Sequence, residues 1–162
     1  MKKRAVFVFV LLLLSASGCG VGNSGDGLET AEVSLTDLYA GMAEACGWDE
    51  DYMADVEGEL LEEYYPGLSE ISARQRIARV PAMSSDVNEI VMLQCETAED
   101  ADRAAEILQA RIDSQVQGGA WYAETLESWQ SAKVLRQGTY AALIASGEFQ
   151  ESLEAQFSQQ FS

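Results

Sequence analysis

The chain contains no histidine. That absence removes Ser-His-Asp and Cys-His nucleophilic catalysis, histidine-ligated zinc and the commonest proton acceptor near neutral pH. Cysteine is scarce as well: Cys19, Cys46 and Cys95 are too few for a four-thiolate zinc site. Beyond residue 4 the only lysine is Lys133, and Ser131 two positions earlier does not form the Ser-x-x-Lys spacing of Ser–Lys catalysts. Glycines gather in one N-terminal stretch rather than in a phosphate-cradling loop, so no nucleotide motif appears and no cofactor is called for. The longest apolar run, Ala5–Leu14, is too short for a bilayer core that needs about 20 residues.

Positive charge is the other shortage. Lys2, Lys3 and Arg4 are three of the ten basic residues, which leaves seven against 27 acids in the rest of the chain. No Lys or Arg occurs from Ala5 through Ala73, while Asp26 through Glu70 supply 14 acids. Such a surface repels nucleic acid, anionic headgroups and phosphate-rich polymers. Two readings of it stand: a solubilising acidic shell, or an attraction for cations or a basic protein partner. Arg74, Arg76 and Arg79 read either as internal compensation for the acidic N-terminal half or as an anion patch within an opposing field.

What is present begins with an address. Lys2–Arg4 form a positive end, Ala5–Leu14 an apolar run and Ser15–Gly18 a small-residue stretch, the three parts of an export signal over residues 1–18. Ala16-Ser17-Gly18-Cys19 resembles the bacterial lipobox, with Ala16 where leucine is commoner. The resemblance implies cleavage between Gly18 and Cys19 and a diacylglycerol on Cys19. Two acyl chains give stable anchoring where one is marginal. Residues 19–33 then read as the lipidated cysteine and a Gly-rich tether with a coil reach of roughly 20 Å. The expected location is the cell membrane, lipid-anchored, on the extracytoplasmic face.

Residues 34–162 read as a single α+β domain. Ser34–Cys46 has Leu35, Leu38, Tyr39, Met42, Ala45 and Cys46 on one helical face, a Ser34/Asp37 capping start and Gly47 as its stop. Met53, Val56, Leu60 and Tyr64 predict a second helix over Asp51–Tyr64, ending before Pro66. Ile71–Met83 fits neither period. Glu89–Cys95 is a short apolar run with polar flanks, read as a central strand. Thr97 and Asp100 frame the start of a helix running to about Gln117, and Trp121, Leu126 and Trp129 suggest another short one. Val134–Arg136 and Thr139–Ser146 read as a hairpin turned at Gln137-Gly138, and Glu148–Phe161 as a closing helix. With no repeated βα unit, these elements predict a small antiparallel sheet of three to four strands packed by several amphipathic helices.

Leu60–Tyr65, Val80–Met83, Asn88–Val91, Ala110–Ser114 and Gly138–Tyr140 carry a resemblance to an uncharacterised family, domain-of-unknown-function family 4358, small lipoproteins of Gram-positive anaerobes. The resemblance spans Tyr64 through Phe157, and departs at Gln94-Cys95 and at Trp121–Glu124, where the family has a Tyr-Leu-Pro stretch. It implies a location and an architecture, and no activity.

Candidate chemistry is sparse. Asp49-Glu50-Asp51 with Asp55, Glu57 and Glu59 fails as a calcium loop, because Met53, Ala54 and Leu60 stand where an oxygen ligand, a glycine and the final glutamate belong. No metal site is expected. Trp48, Tyr52, Tyr64 and Tyr65 read as core aromatics or as the lining of a ligand groove. Cys46 and Cys95 each sit on an apolar face, as buried free thiols or, in an exported protein, as a disulfide.

One residue stands out. On a helical wheel Arg111 falls at about 280°, inside the apolar arc of Ala101, Ala104 and Leu108 and away from Asp102, Arg103, Glu106 and Asp113. A guanidinium there snorkels past the helix edge, finds a carboxylate or contacts a ligand, because an unpaired buried charge is expensive. Glu89 opens the strand this helix should cover and is the candidate partner, as a structural or a ligand-contacting pair. The family resemblance also places an acid and an arginine at these two positions.

Two functions survive: a non-enzymatic binding or interaction module, or a carboxylate-dependent cell-envelope hydrolase, which needs only two well-placed acids. Missing catalytic spacings favour the first. The address is separately testable. Cys19→Ala should leave the precursor uncut or release the protein from membranes, and mass spectrometry of the N-terminus reads the outcome. An unlipidated Cys19 or a mature start elsewhere would refute it.

Overall fold

The computed structural model describes residues 32–83 and 86–162. The expected export signal, Gly18, Cys19 and most of the expected tether lie outside them. Among the described residues no helix is long and apolar enough to cross a membrane.

Helix α1 (Leu35–Cys46) starts as its capping residues dictate: Ser34 Oγ accepts from the Asp37 amide at 3.2 Å, and Gly47 closes the helix at φ +68°. A short edge strand, β1 (Met53–Asp55), follows, and then α2 (Glu59–Tyr64). The single helix expected over Asp51–Tyr64 is therefore corrected. Met53–Asp55 pairs with Arg79–Pro81, and Gly58 at φ +57° breaks the chain between strand and helix. Of the four residues that matched a 3.6-residue period, Met53 lies in β1, Leu60 and Tyr64 in α2, and Val56 in the link between them. A sheet edge offered ladder hydrogen bonds that outweighed a weak helical preference.

The ambiguous segment resolves as β2 (Ala73–Pro81). Its period-2 pattern is hidden for two physical reasons. A register shift between Ala73 and Gln75 moves later side chains to the opposite face, and the charged residues Arg76 and Arg79 are half-buried where alternation would expect exposure. Next come β3 (Asn88–Cys95), α3 (Ala98–Ser114), a π-type turn over Gln115–Gly119, α4 (Ala123–Ser131), the hairpin of β4 (Lys133–Gln137) and β5 (Tyr140–Ser146), and α5 (Gln150–Gln159). Thr97 Oγ1 caps α3 by accepting from the Asp100 amide at 3.0 Å.

The fold is α+β, with more residues in helices than in strands. Its five strands form one antiparallel sheet in the order β1-β2-β3-β5-β4, against the three to four expected. The difference is β1 and β2.

The sheet is covered on both faces. Ile90, Met92, Ala142 and Ile144 face α1 and α5, where Leu35, Met42, Leu153 and Phe157 bury. Val91, Leu93, Cys95, Leu143 and Ala145 face α2, α3 and α4, against Leu61, Leu108, Ile112 and Trp129. Every residue of β3 and of β5 is buried, which is why these strands read as unbroken apolar runs. Both Cys46 and Cys95 are free thiols. Cys95 is buried in the core on one face of the sheet, whereas Cys46 is only partly buried against the core on the other, and burial raises the pKa of each.

Because β3 and β5 pair from Asn88↔Ser146 to Gln94↔Tyr140 with no exposed side, their amides should open only on global unfolding. Hydrogen exchange should show Ile90–Leu93 and Ala141–Ala145 among the slowest amides, and fast exchange in both would contradict this sheet. Leu143→Ala should cost about 2–5 kcal/mol in denaturant unfolding.

Candidate functional site

Glu89 lies at the start of β3 on the α3 side of the sheet, and Arg111 lies in the last two turns of α3 above it. The pair is bidentate: Arg111 Nε donates to Glu89 Oε1 and Nη2 to Oε2, both at 2.9 Å. Glu89's side chain is 5% exposed and that of Arg111 17%. Arg111 therefore pairs with a carboxylate instead of snorkelling past the helix edge, and only a small part of its side chain reaches solvent.

A third residue completes the network. Tyr65, wholly buried at the end of α2, donates its hydroxyl to Glu89 Oε1 at 2.6 Å. Burial and the Glu89 charge push its pKa far above the ordinary value, so the proton stays on the phenol and the donor role is constant. Burial opposes the charge on Arg111, but hydrogen bonding to Glu89 and the Glu89 charge outweigh it and leave the arginine pKa raised.

Aromatic rings enclose the guanidinium. Its central carbon lies 4.7 Å from the Tyr64 ring centroid, 5.3 Å from that of Trp129 and 5.9 Å from that of Tyr65. Cation–π attraction strengthens as water is excluded, so the cage holds the arginine head against Glu89.

This network forms one wall of a concavity of about 570 Å³. Tyr64, Val80, Gln115, Trp121, Tyr122 and Trp129 contribute the rest of its lining, with Asp86 and Asn88 at one end. Trp121 is 90% exposed and Tyr122 73%, two large rings presented to solvent at its rim. Asp86, Val87, Asn88, Tyr122 and Thr125 also line a second concavity of about 730 Å³, whose far side is formed by Trp48, Tyr52 and Phe149.

A chain of hydrogen bonds sets the boundary between the two. Asn88 Nδ2 donates to Tyr52 Oη at 2.6 Å, Ser146 Oγ donates to Asn88 Oδ1 at 2.7 Å, and the Phe149 amide donates to Ser146 Oγ at 3.1 Å. The Gly147 amide donates to Val87 O at 3.0 Å. The start of β3 and the β5–α5 turn are thereby tied together.

The aromatic run anticipated in the sequence divides between roles. Tyr65 is core, while Tyr64 lines the smaller concavity and Trp48 and Tyr52 the larger. Trp121, Tyr122, Trp129, Asp86 and Phe149 did not stand out as site residues in the sequence, since each is an ordinary helix or turn residue locally. Within the Arg74–Arg79 group only Arg79 meets an acid of the N-terminal half, its Nε 2.9 Å from Asp55; Arg74 Nε lies 3.0 Å from Glu96, and Arg76 donates to Ile71 O at 3.2 Å, its Nε buried without a partner among the described residues. Among the described residues no three His, Cys, Asp or Glu side chains form a group fit to hold a metal ion.

The fold and site define an α+β protein whose antiparallel sheet carries a caged ion pair beside paired aromatic concavities. Residues 47–146 match the family described as Domain of unknown function (DUF4358), and the chain belongs to that family. The match contains the whole sheet, Glu89 and Arg111, whereas α1 and α5 fall outside it. No curated protein matches the chain, and neither does any solved structure.

Removing one member of the pair strands the other in a largely dry setting, so Arg111→Met or Glu89→Gln alone should cost about 3–5 kcal/mol. A double-mutant cycle by denaturant unfolding should return a coupling of about 0.5–3 kcal/mol. Strictly additive losses would show that the two do not stabilise each other.

Proposed function

We propose that the protein is a non-enzymatic binding module, anchored through lipid on Cys19 at the extracytoplasmic face of the cell membrane, with the aromatic concavities as its binding surface. The observation that carries the binding role is the exposure of Trp121 and Tyr122 at the rim of a concavity with a rigid wall. Large aromatics are costly to leave in water, and Trp and Tyr with a rigid backing are the residues that dominate binding hot spots. The anchor is supported by Lys2–Arg4, Ala5–Leu14 and Ala16–Cys19 in the sequence.

The alternative, a carboxylate-dependent envelope hydrolase, needs two acids free to exchange protons with substrate and water. Glu89 is the most buried acid of the smaller concavity, and both its oxygens are already engaged by Arg111 and Tyr65. Its arrangement serves rigidity rather than proton transfer.

The test is affinity capture from the native membrane with the full chain and with a Trp121→Ala/Tyr122→Ala variant. Both residues are exposed, so stability should change by no more than about 0.5 kcal/mol. A partner retained by the parent and lost by the folded variant is the expected result. Equal capture by both would remove the concavities from the binding role.

A further inference from the structure

The larger concavity differs from the smaller in charge. Four carboxylates, Asp49, Asp86, Glu124 and Glu148, stand around it, and no Lys or Arg is among the described residues that line it. Six of the seven described cations are held by acids that do not line this groove. Arg74, Arg79, Arg103, Arg111, Lys133 and Arg136 each lie within an ion pair, and Arg76 is bonded to a backbone carbonyl. Among the described residues none of the four groove acids belongs to any of those pairs. Their field is uncompensated and converges on one concave surface, where it attracts positive charge most strongly.

The same surface offers aromatic faces. Trp48 and Tyr52 stack at 5.5 Å and 27°, and Phe149 meets Trp48 edge-on at 6.1 Å and 82°, making a corner of rings. Tyr52 and Phe149 are held by the hydrogen-bond chain through Asn88 and Ser146, so the corner exists before any ligand arrives. Rings with carboxylates beside them suit an ammonium or guanidinium head. The fold uses that chemistry itself, with Arg111 between Tyr64 and Trp129 and Arg79 over Tyr39 at 5.1 Å.

We propose that this groove docks a basic, extended segment of a partner protein, with a lysine or arginine head received by the Trp48–Tyr52–Phe149 corner and the surrounding carboxylates. The proposal rests on the reading of the protein as a binding module and names the chemistry of its ligand. A segment fits better than a lone small cation. The groove of about 730 Å³ runs past Asp86, Asn88 and Tyr122 into the second, so the path continues to the exposed Trp121 and Tyr122 rings. These two would cover the stretch beyond the basic head.

The experiment titrates the full chain, in a neutral detergent at about 0.15 M ionic strength, with acetylated pentalysine amide, and follows indole NMR signals. Parent protein is compared with Glu124→Gln/Glu148→Gln in the groove and with Glu99→Gln/Glu106→Gln on the exposed face of α3, which removes the same charge. The groove variant should weaken binding about tenfold and the α3 variant less than about twofold, and free lysine should bind at least about tenfold more weakly than the peptide. Equal weakening by the two variants would show that the peptide reads net charge alone, and would overturn the proposal. So would free lysine binding as tightly as pentalysine, or no pentalysine binding at all. If pentalysine fails while Trp121→Ala/Tyr122→Ala still loses its captured partner, the binding module stands and only its ligand chemistry falls.

Discussion

A carboxylate taken out of water at the start of a central strand costs several kcal/mol unless its oxygens are occupied. Glu89 meets that requirement with three hydrogen bonds, two from Arg111 and one from Tyr65. The three residues come from β3, α3 and the end of α2, and the rings that enclose the arginine add α4 through Trp129. Four elements are thereby held in one relative arrangement. The smaller concavity takes its wall from that arrangement, and α4 carries Thr125, shared by both concavities.

Around that anchor, charge is distributed unevenly. The described cations are spent on local partners along the strands and helices, and several of those pairs are exposed and contribute little to stability. Each neutralises a single acid, such as Asp55 on β1 or Asp102 on α3, and leaves other acids on the same elements unpaired. The acids of the turns at the end of α1, before β3 and after β5 keep their charge, and they surround the larger groove. A net charge of −17 is thus a poor description of the surface, because what a ligand meets depends on where compensation is missing.

Short-range energetics made a good part of the fold legible. Ser34 and Thr97 cap helices because their side chains sit three residues from the amides they receive, and Gly47 ends α1 because it adopts a positive φ without strain. Both central strands show as apolar runs because burial on two faces leaves no room for alternation. Arg111 declared itself by lying in an apolar arc, which required only the helical period. The expected helix over Asp51–Tyr64 failed because β1 has no stability of its own: its three residues are a strand only because Arg79–Pro81 lies beside them.

The proposed binding surface belongs to the second kind of information. Trp48, Asn88, Tyr122 and Phe149 come from four separate segments, and although Trp48 could be read as a groove aromatic, nothing along the chain shows that the four meet. They meet because sheet order places β3 beside β5, and because Ser146 and Asn88 join the ends of those strands. Acidity, helix caps, central strands and the misplaced arginine are properties of a residue and its near neighbours, and the order of residues suffices to specify them. Pairing of Glu89 with both Arg111 and Tyr65, capture of β1 at the sheet edge and the uncompensated groove depend on contacts across long stretches of chain. Their energies exist only once the two faces of the sheet have been packed.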